Sequence, residues 1–281
     1  MTYDPALGTA VLFGGSGGKQ GVLDDTWTWN GASWTQQHPT VSPPARAAAA
    51  MAYDPATKTV VLFGGEGVLG FLGDTWTWDG VSWTQQHPTV SPPAREDAQM
   101  GMDPASGADL LFGGIGKCGA CRDTWSWNGQ SWTELHPNTE PPSLAGGVLT
   151  ADLSSDDDVL FGGIPAGSSG FANGTTWTWN GITWKREGVS GPSARQYPAA
   201  ASAPAGGGVV LFGGLAARGS SGLRADSWRW SGTTWLRIAV KTSPTGREGA
   251  SMAEDPSSGS LVLFGGNRSG VVDDTWTFEE R

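Results

Sequence analysis

The stretch Val60-Val61-Leu62-Phe63-Gly64-Gly65, followed by Asp74-Thr75-Trp76-Thr77-Trp78-Asp79-Gly80-Val81-Ser82-Trp83, decides the fold of this chain. A short, fully apolar run stopped by two glycines reads as a buried strand, and the glycines supply backbone angles closed to other residues. Trp-Thr-Trp has a period of two, which puts both rings on one face of a sheet and the threonines on the other. Asp79-Gly80 before the next aromatic strand is the signal of a tight hairpin turn. Upstream, Ala47 to Tyr53 is a strand rich in small residues that ends in Asp54-Pro55, a turn in which proline fixes φ. One unit therefore reads as four short antiparallel strands.

The unit recurs. Phe-Gly-Gly begins at Phe13, Phe63, Phe112, Phe161, Phe212 and Phe264, and an aromatic pair follows each at Trp27/Trp29, Trp76/Trp78, Trp125/Trp127, Trp177/Trp179, Trp228/Trp230 and Trp276/Phe278. A further tryptophan opens a fourth strand at Trp34, Trp83, Trp132, Trp184 and Trp235, so all 16 tryptophans fall on repeat positions. Residues 27–46 and 76–95 differ only at Asn30/Asp79 and Ala32/Val81, which points to duplication of a unit. Repeats of about 50 residues, four strands each and without an amphipathic helix, predict an all-β, six-bladed β-propeller of four-stranded antiparallel blades. The chain reads as one propeller over 1–281, with blades near 1–37, 45–86, 94–135, 143–187, 194–238 and 246–281. The first unit starts within its first strand, and the last stops after Phe278 with no fourth-strand tryptophan. The last blade is therefore expected to lack its outer strand, with a weak seam between the sixth and first units.

Composition narrows the partners. The 281 residues carry 27 acidic and 17 basic side chains, a formal net charge of −10. That balance argues against nucleic acid and anionic membranes, which both favour a basic face. Apolar runs fall well short of the roughly 20 residues of a membrane span, and the first residues lack the pattern of a signal peptide. A monomer is expected, with an extracellular or cell-surface location favoured.

The order of apolar run, Gly-Gly, variable loop, aromatic strand, turn, tryptophan strand and Pro-x-Arg resembles the kelch repeat, and the resemblance covers essentially the whole chain. It extends to the bacterial kelch propellers grouped with the central domain of galactose oxidase. It implies a six-bladed propeller but no single function, because the fold hosts binding proteins and unrelated enzymes. Copper chemistry of the galactose oxidase kind is not expected. The only tyrosines are Tyr3, Tyr53 and Tyr197, and the only cysteines are Cys118 and Cys121.

Loop lengths choose a face. The Asp-Pro and Asn-Gly turns are short and stereotyped, whereas the connections Ser16–Asp24, Glu66–Gly73, Ile115–Arg122, Ile164–Gly174, Leu215–Ala225 and Asn267–Asp273 are long and variable. Function is expected on the latter face, around a central opening. Arg46, Arg95, Arg195 and Arg247 open the first strand of four units, beside Glu96, Gln196, Tyr197 and Glu248; the fourth unit has Ser143-Leu144 instead. The kelch resemblance implies that such arginines point into the central cavity, where with Gln196 and Tyr197 they would bind an acidic or polyhydroxylated ligand. The competing reading makes each arginine a tie between loop and neighbouring blade.

Other motifs carry less. Cys118 and Cys121 form one CxxC with no second pair to complete a zinc site; a local disulfide is the expectation, or free thiols in a reducing compartment. His38, His87 and His136 occupy one repeat position on diverging blades, so no metal centre is expected of them. Asp156-Asp157-Asp158 reads as a solvated turn rather than a calcium site. No cofactor is expected. The sequence points to a non-enzymatic binding or scaffold propeller that recognises a protein or glycan through its loop face. The alternative is a carbohydrate-active enzyme, such as a sugar mutarotase or epimerase, with Glu96 or Glu248 as general base.

Overall fold

In a computed structural model the repeats fold as antiparallel sheets, with a short 3-10 turn at Gly18–Gln20. The structure describes residues 1–117, 119–166, 172–203, 207–216, 222–255 and 259–279. Eight sheets form, five of them four-stranded with strands hydrogen-bonded in chain order. Unit two is typical: Ala50–Asp54, Thr59–Phe63, Thr75–Trp78 and Trp83–Gln86. The sixth unit has three strands among the described residues, Ser251–Asp255, Ser260–Phe264 and Thr275–Glu279. Two small three-stranded ribbons complete the set. One joins Arg46–Ala47, Glu66–Gly67 and Gly70–Phe71; the other joins Arg95–Glu96, Ile115–Gly116 and Gly119–Ala120.

The arrangement is propeller-like. The first strand of each unit packs on the first strand of the next, and Thr2–Asp4 of unit one packs on both Ala50–Asp54 and Ser251–Asp255. All six first strands line a cavity of about 410 Å³ that contains every methionine of the chain: Met1, Met51, Met100, Met102 and Met252. Small residues such as Ala52, Gly101, Ala151, Ala201 and Ala253 share these strands, which lets the backbones converge.

The apolar second strand has no polar alternation because both its faces are buried. Val60 and Leu62 pack with Val11 and Phe13 of unit one, while Val61 and Phe63 pack with Leu111 and Trp132 of unit three. The next sheet is keyed in place by its fourth-strand tryptophan. Trp83 donates its indole N–H to Thr26 Oγ1 of the preceding unit at 2.9 Å, and its ring meets Phe13 edge-on with centroids 5.2 Å apart. Trp132, Trp184 and Trp235 repeat both contacts, with Thr75 and Phe63, Thr124 and Phe112, and Thr176 and Phe161. Thus the threonine of the Trp-Thr-Trp cassette's leading position is an acceptor for the next unit.

Gly-Gly has a matching cause. The Gly65 N–H donates to the Arg95 carbonyl of the next unit at 2.8 Å, and a Cβ on Gly64 would stand 2.6 Å from that same oxygen. Both glycines have positive φ, +66° and +99°. A side chain here would therefore break the register between units, not merely strain a turn.

Two expectations are corrected. The seam between the sixth and first units is keyed like the others: Trp34 donates to Thr275 Oγ1 at 2.9 Å and its ring lies 5.1 Å from that of Phe264. Ala10 and Trp29 also pack there with Ala253 and Val262. The acidic run is not a solvated turn throughout. Asp156 is exposed, but Asp158 is fully buried at the position that Val60 holds in unit two, because strand pairing carries it into the sheet opposite Trp179. Cys118 lies outside the described residues; Cys121 is buried, with its sulfur 3.7 Å from the Gly119 carbonyl oxygen.

Candidate binding site at the central mouth

The four arginines are braces. Arg95 is buried, and its guanidinium makes two parallel contacts with Asp123, Nη1 to Oδ1 at 2.6 Å and Nη2 to Oδ2 at 2.7 Å. Nη1 also donates to the Gly113 carbonyl, and Nε to that of Pro93. Arg46 with Asp74, Arg195 with Asp226 and Arg247 with Asp274 repeat the pattern. Each aspartate also accepts the indole N–H of the tryptophan two residues on, as Asp74 does from Trp76 at 2.6 Å. The guanidinium donors are thus spent on the protein itself, so these arginines do not present a ligand-binding fork at the opening. They tie the start of a unit to the start of its third strand, within one repeat unit rather than between two. Unit four shows the dependence by losing both partners together: Leu144, fully buried, replaces the arginine and Thr175 replaces the aspartate.

What the brace positions is the backbone just beyond it. Two residues after the arginine position lie Ala48, Asp97, Gly146, Tyr197 and Gly249, all with φ between +50° and +63°. Asp97 N–H donates to Ala48 O at 3.0 Å, Gly146 N–H to Asp97 O at 3.1 Å, Tyr197 N–H to Gly146 O at 2.6 Å, and Gly249 N–H to Tyr197 O at 2.9 Å. Five consecutive units are thereby linked in an arc where the first strands begin. Left-handed backbone at a non-glycine residue is strained, and such strain gathers at functional sites.

Side chains on and beside this arc form the mouth. Tyr197 Oη donates to Asp97 Oδ2 at 2.7 Å, linking units five and three across the arc. Its ring leaves no room for a Cβ at Gly146, which explains the glycine there. Gln99 Nε2 caps the Asp97 carbonyl at 2.5 Å. Glu96, Gln196 and Glu248 are half-buried alongside, and Glu66 is exposed on the neighbouring ribbon. Burial, then the charges of Asp97 and Glu66 and a hydrogen bond with Glu66, push Glu96 up to about 7. Burial likewise raises Asp97, against the opposing Tyr197 hydrogen bond, and raises Glu248. Burial and the Asp97 carboxylate raise Tyr197, so its phenol stays a donor to Asp97. The amide oxygens of Gln99 and Gln196 are buried without a hydrogen-bond partner.

This set is rich in acceptors: carboxylates and amide oxygens outnumber the donors left open. It can receive cationic or hydroxyl donors and would repel an acidic ligand. Gln196 and Tyr197 stand at the mouth, as do Glu96 and Glu248, whereas Arg46, Arg95, Arg195 and Arg247 stand behind it. Two contributors escape a sequence reading, Asp97 and Gln99; the ribbon Glu66–Phe71 lies within the variable connection Glu66–Gly73, and its tip exposes Val68 and Leu69 to solvent at 84% and 103%. The available signal was the repeat position two residues after the arginine, where glycine alternates with Asp97 and Tyr197. No protein-family model and no curated protein sequence matches the chain.

Proposed function

We propose that the chain is a six-bladed propeller of the kelch kind whose sixth blade lacks its outer strand, and that it binds a protein or glycan through the loop face around the central opening. The six first strands around one cavity and the keyed contact between the sixth and first units support the closed ring. The observation that carries the functional reading is the acceptor-rich mouth of Glu66, Glu96, Asp97, Gln196 and Glu248. Beside it, the Val68-Leu69 tip offers apolar contact, an uncommon degree of exposure for two adjacent aliphatic residues. Together they suit a partner with clustered hydroxyl or basic groups and one apolar anchor.

The test is an array of neutral and basic glycans and of basic peptides, probed with the wild-type chain and with Glu66→Gln/Glu96→Gln/Glu248→Gln. Binding by the wild type that falls at least tenfold in the triple variant supports the reading. Binding that survives the triple variant unchanged, or no binding to any member, overturns it. A second reading draws on one observation: Glu96 at about 7 has the range of a general acid–base. Sugar mutarotation or epimerisation that is lost in Glu96→Gln would favour that reading over a purely binding role.

A further inference from the structure

The six first strands line their cavity toward the end away from the mouth. Successive side chains on a strand alternate, so residues two apart share a side, and the repeat turns this into two rings of lining residues. One ring holds Met1, Met51, Met100, Leu149, Ala200 and Met252, one from each unit at a single repeat position. Two residues further along each strand, the second ring holds Tyr3, Tyr53, Met102, Ala151, Ser202 and Glu254. The first ring is apolar throughout and mostly thioether. Methionine, unbranched and polarisable, adapts its shape to an apolar guest.

The second ring is lopsided. Glu254, Tyr3 and Tyr53 stand on units six, one and two, whose first strands pack side by side. Glu254 is the one carboxylate among the lining residues, and no lysine, arginine or histidine lines the cavity with it. Burial, then the charges of Asp255 and Glu254, raise the Tyr3 phenol, which places Glu254 close to it. Asp4, Asp54 and Asp255, buried behind the ring, add negative charge on the same side. Burial, followed by the Asp255 charge, pushes Glu254 up to about 7. A half-buried carboxylate with no cation beside it is costly, and a cationic guest would offset that cost. Ser202 Oγ already donates to the Ala151 carbonyl at 2.8 Å, so it meets a guest only as an acceptor.

We propose that this cavity binds a small apolar amine, with its ammonium group on Glu254 and its apolar body among Met51, Met100 and Met252. The volume of about 410 Å³ suits a compact organic molecule rather than a bare ion. The rings of Tyr3 and Tyr53 add cation–π attraction to the Coulombic pull of the carboxylate. The same charges repel an organic acid, and a neutral guest gains nothing from them. The site shares no residue with the mouth and does not depend on the role proposed there.

The test titrates phenethylamine, phenethyl alcohol and phenylacetate into the intact protein, with its methionine methyls labelled with carbon-13 for NMR. Every methionine of the chain lines this cavity, so the methyl signals report on it directly. Phenethylamine should shift them saturably and bind about tenfold tighter than the isosteric alcohol, the scale of one charge-assisted hydrogen bond. Phenylacetate should leave them unmoved. Glu254→Gln should bring the amine down to the affinity of the alcohol, whereas Glu66→Gln/Glu96→Gln/Glu248→Gln at the mouth should change nothing. Should Glu254→Gln fail to fold, the order of the three probes on the wild type decides. No saturable shift with phenethylamine, equal affinity for the alcohol, binding of phenylacetate, or undiminished amine binding in Glu254→Gln overturns the proposal. Amine binding lost in the mouth variant but kept in Glu254→Gln would place the amine at the mouth and overturn it as well.

Discussion

Trp34 and Thr275 stand 241 residues apart in sequence and are joined by an indole-to-hydroxyl hydrogen bond of 2.9 Å. The bond belongs to the same series as Trp83 to Thr26 and Trp132 to Thr75, so the first unit treats the sixth as its predecessor. Removing only the acceptor, in Thr275→Val, should lower stability by about 1 kcal/mol. Removing the ring, in Trp34→Ala, should cost about 3 kcal/mol through the lost contacts with Trp29 and Phe264. Urea unfolding measures both, with Thr35→Val as the control at an exposed strand position. An acceptor variant no less stable than that control would contradict the keyed seam.

The arginine braces predict coupled mutations. Arg95→Ala leaves Asp123 without its main partner in a mostly buried place and should destabilise by about 3 kcal/mol. Copying unit four, with Arg95→Leu and Asp123→Thr together, should recover more than half of that loss, since Leu144 and Thr175 already coexist there. A double variant as unstable as the sum of its single changes would show that the pair is not exchangeable as a unit.

Acid should loosen the same braces. Burial alone would raise Asp226, but hydrogen bonds from Arg195 and Trp228 outweigh it and bring the carboxyl down to about 2; Arg247 holds Asp274 down to about 2 as well. A folded-state value below the ordinary value of about 4 means stability that is complete above pH 4 and lost as pH falls toward 2. Melting temperature recorded from pH 6 to 2 should drop across that window, and less steeply in Asp226→Asn. A flat profile would contradict the assignment.

Two other carboxyls act in the opposite sense. Asp109 and Asp158 are fully buried with both oxygens lacking partners, where unit two has Val60, and burial raises both well above their ordinary value. A raised folded-state value favours the fold below about pH 4, and that contribution declines as pH rises. Asp158→Val should therefore stabilise the protein at pH 7, by about 2 kcal/mol, and by much less at pH 4. Thermal melts at the two values measure the difference; a loss of stability at pH 7 would mean that the carboxyl has a native role.

Much of the fold was legible in the sequence because the cause of each element is local. Val60 to Phe63 is apolar throughout since both faces of its strand are covered, and Gly64-Gly65 recurs since the next unit's carbonyl lies against it. The brace was legible only in part. Arg46 and Asp74 are separated by 28 residues, and unit four lacks both, but periodicity gives no sign of which way a guanidinium points. The mouth was hardest. Asp97 and Tyr197 come together because two left-handed residues in different units converge on one arc, and Asp158 is carried inward by a register that a run of three aspartates does not disclose.

The ring itself is the claim on which a central opening surrounded by the loop face depends. Spin labels at Gln36 and Thr277, exposed positions on the first and last units, test it most directly in a background with Cys118 and Cys121 changed to serine. Pulsed electron paramagnetic resonance should give a single narrow, short distance that broadens on unfolding in urea. A long or broad distribution in the native protein would mean that the sixth and first units do not meet, and would contradict the closed propeller.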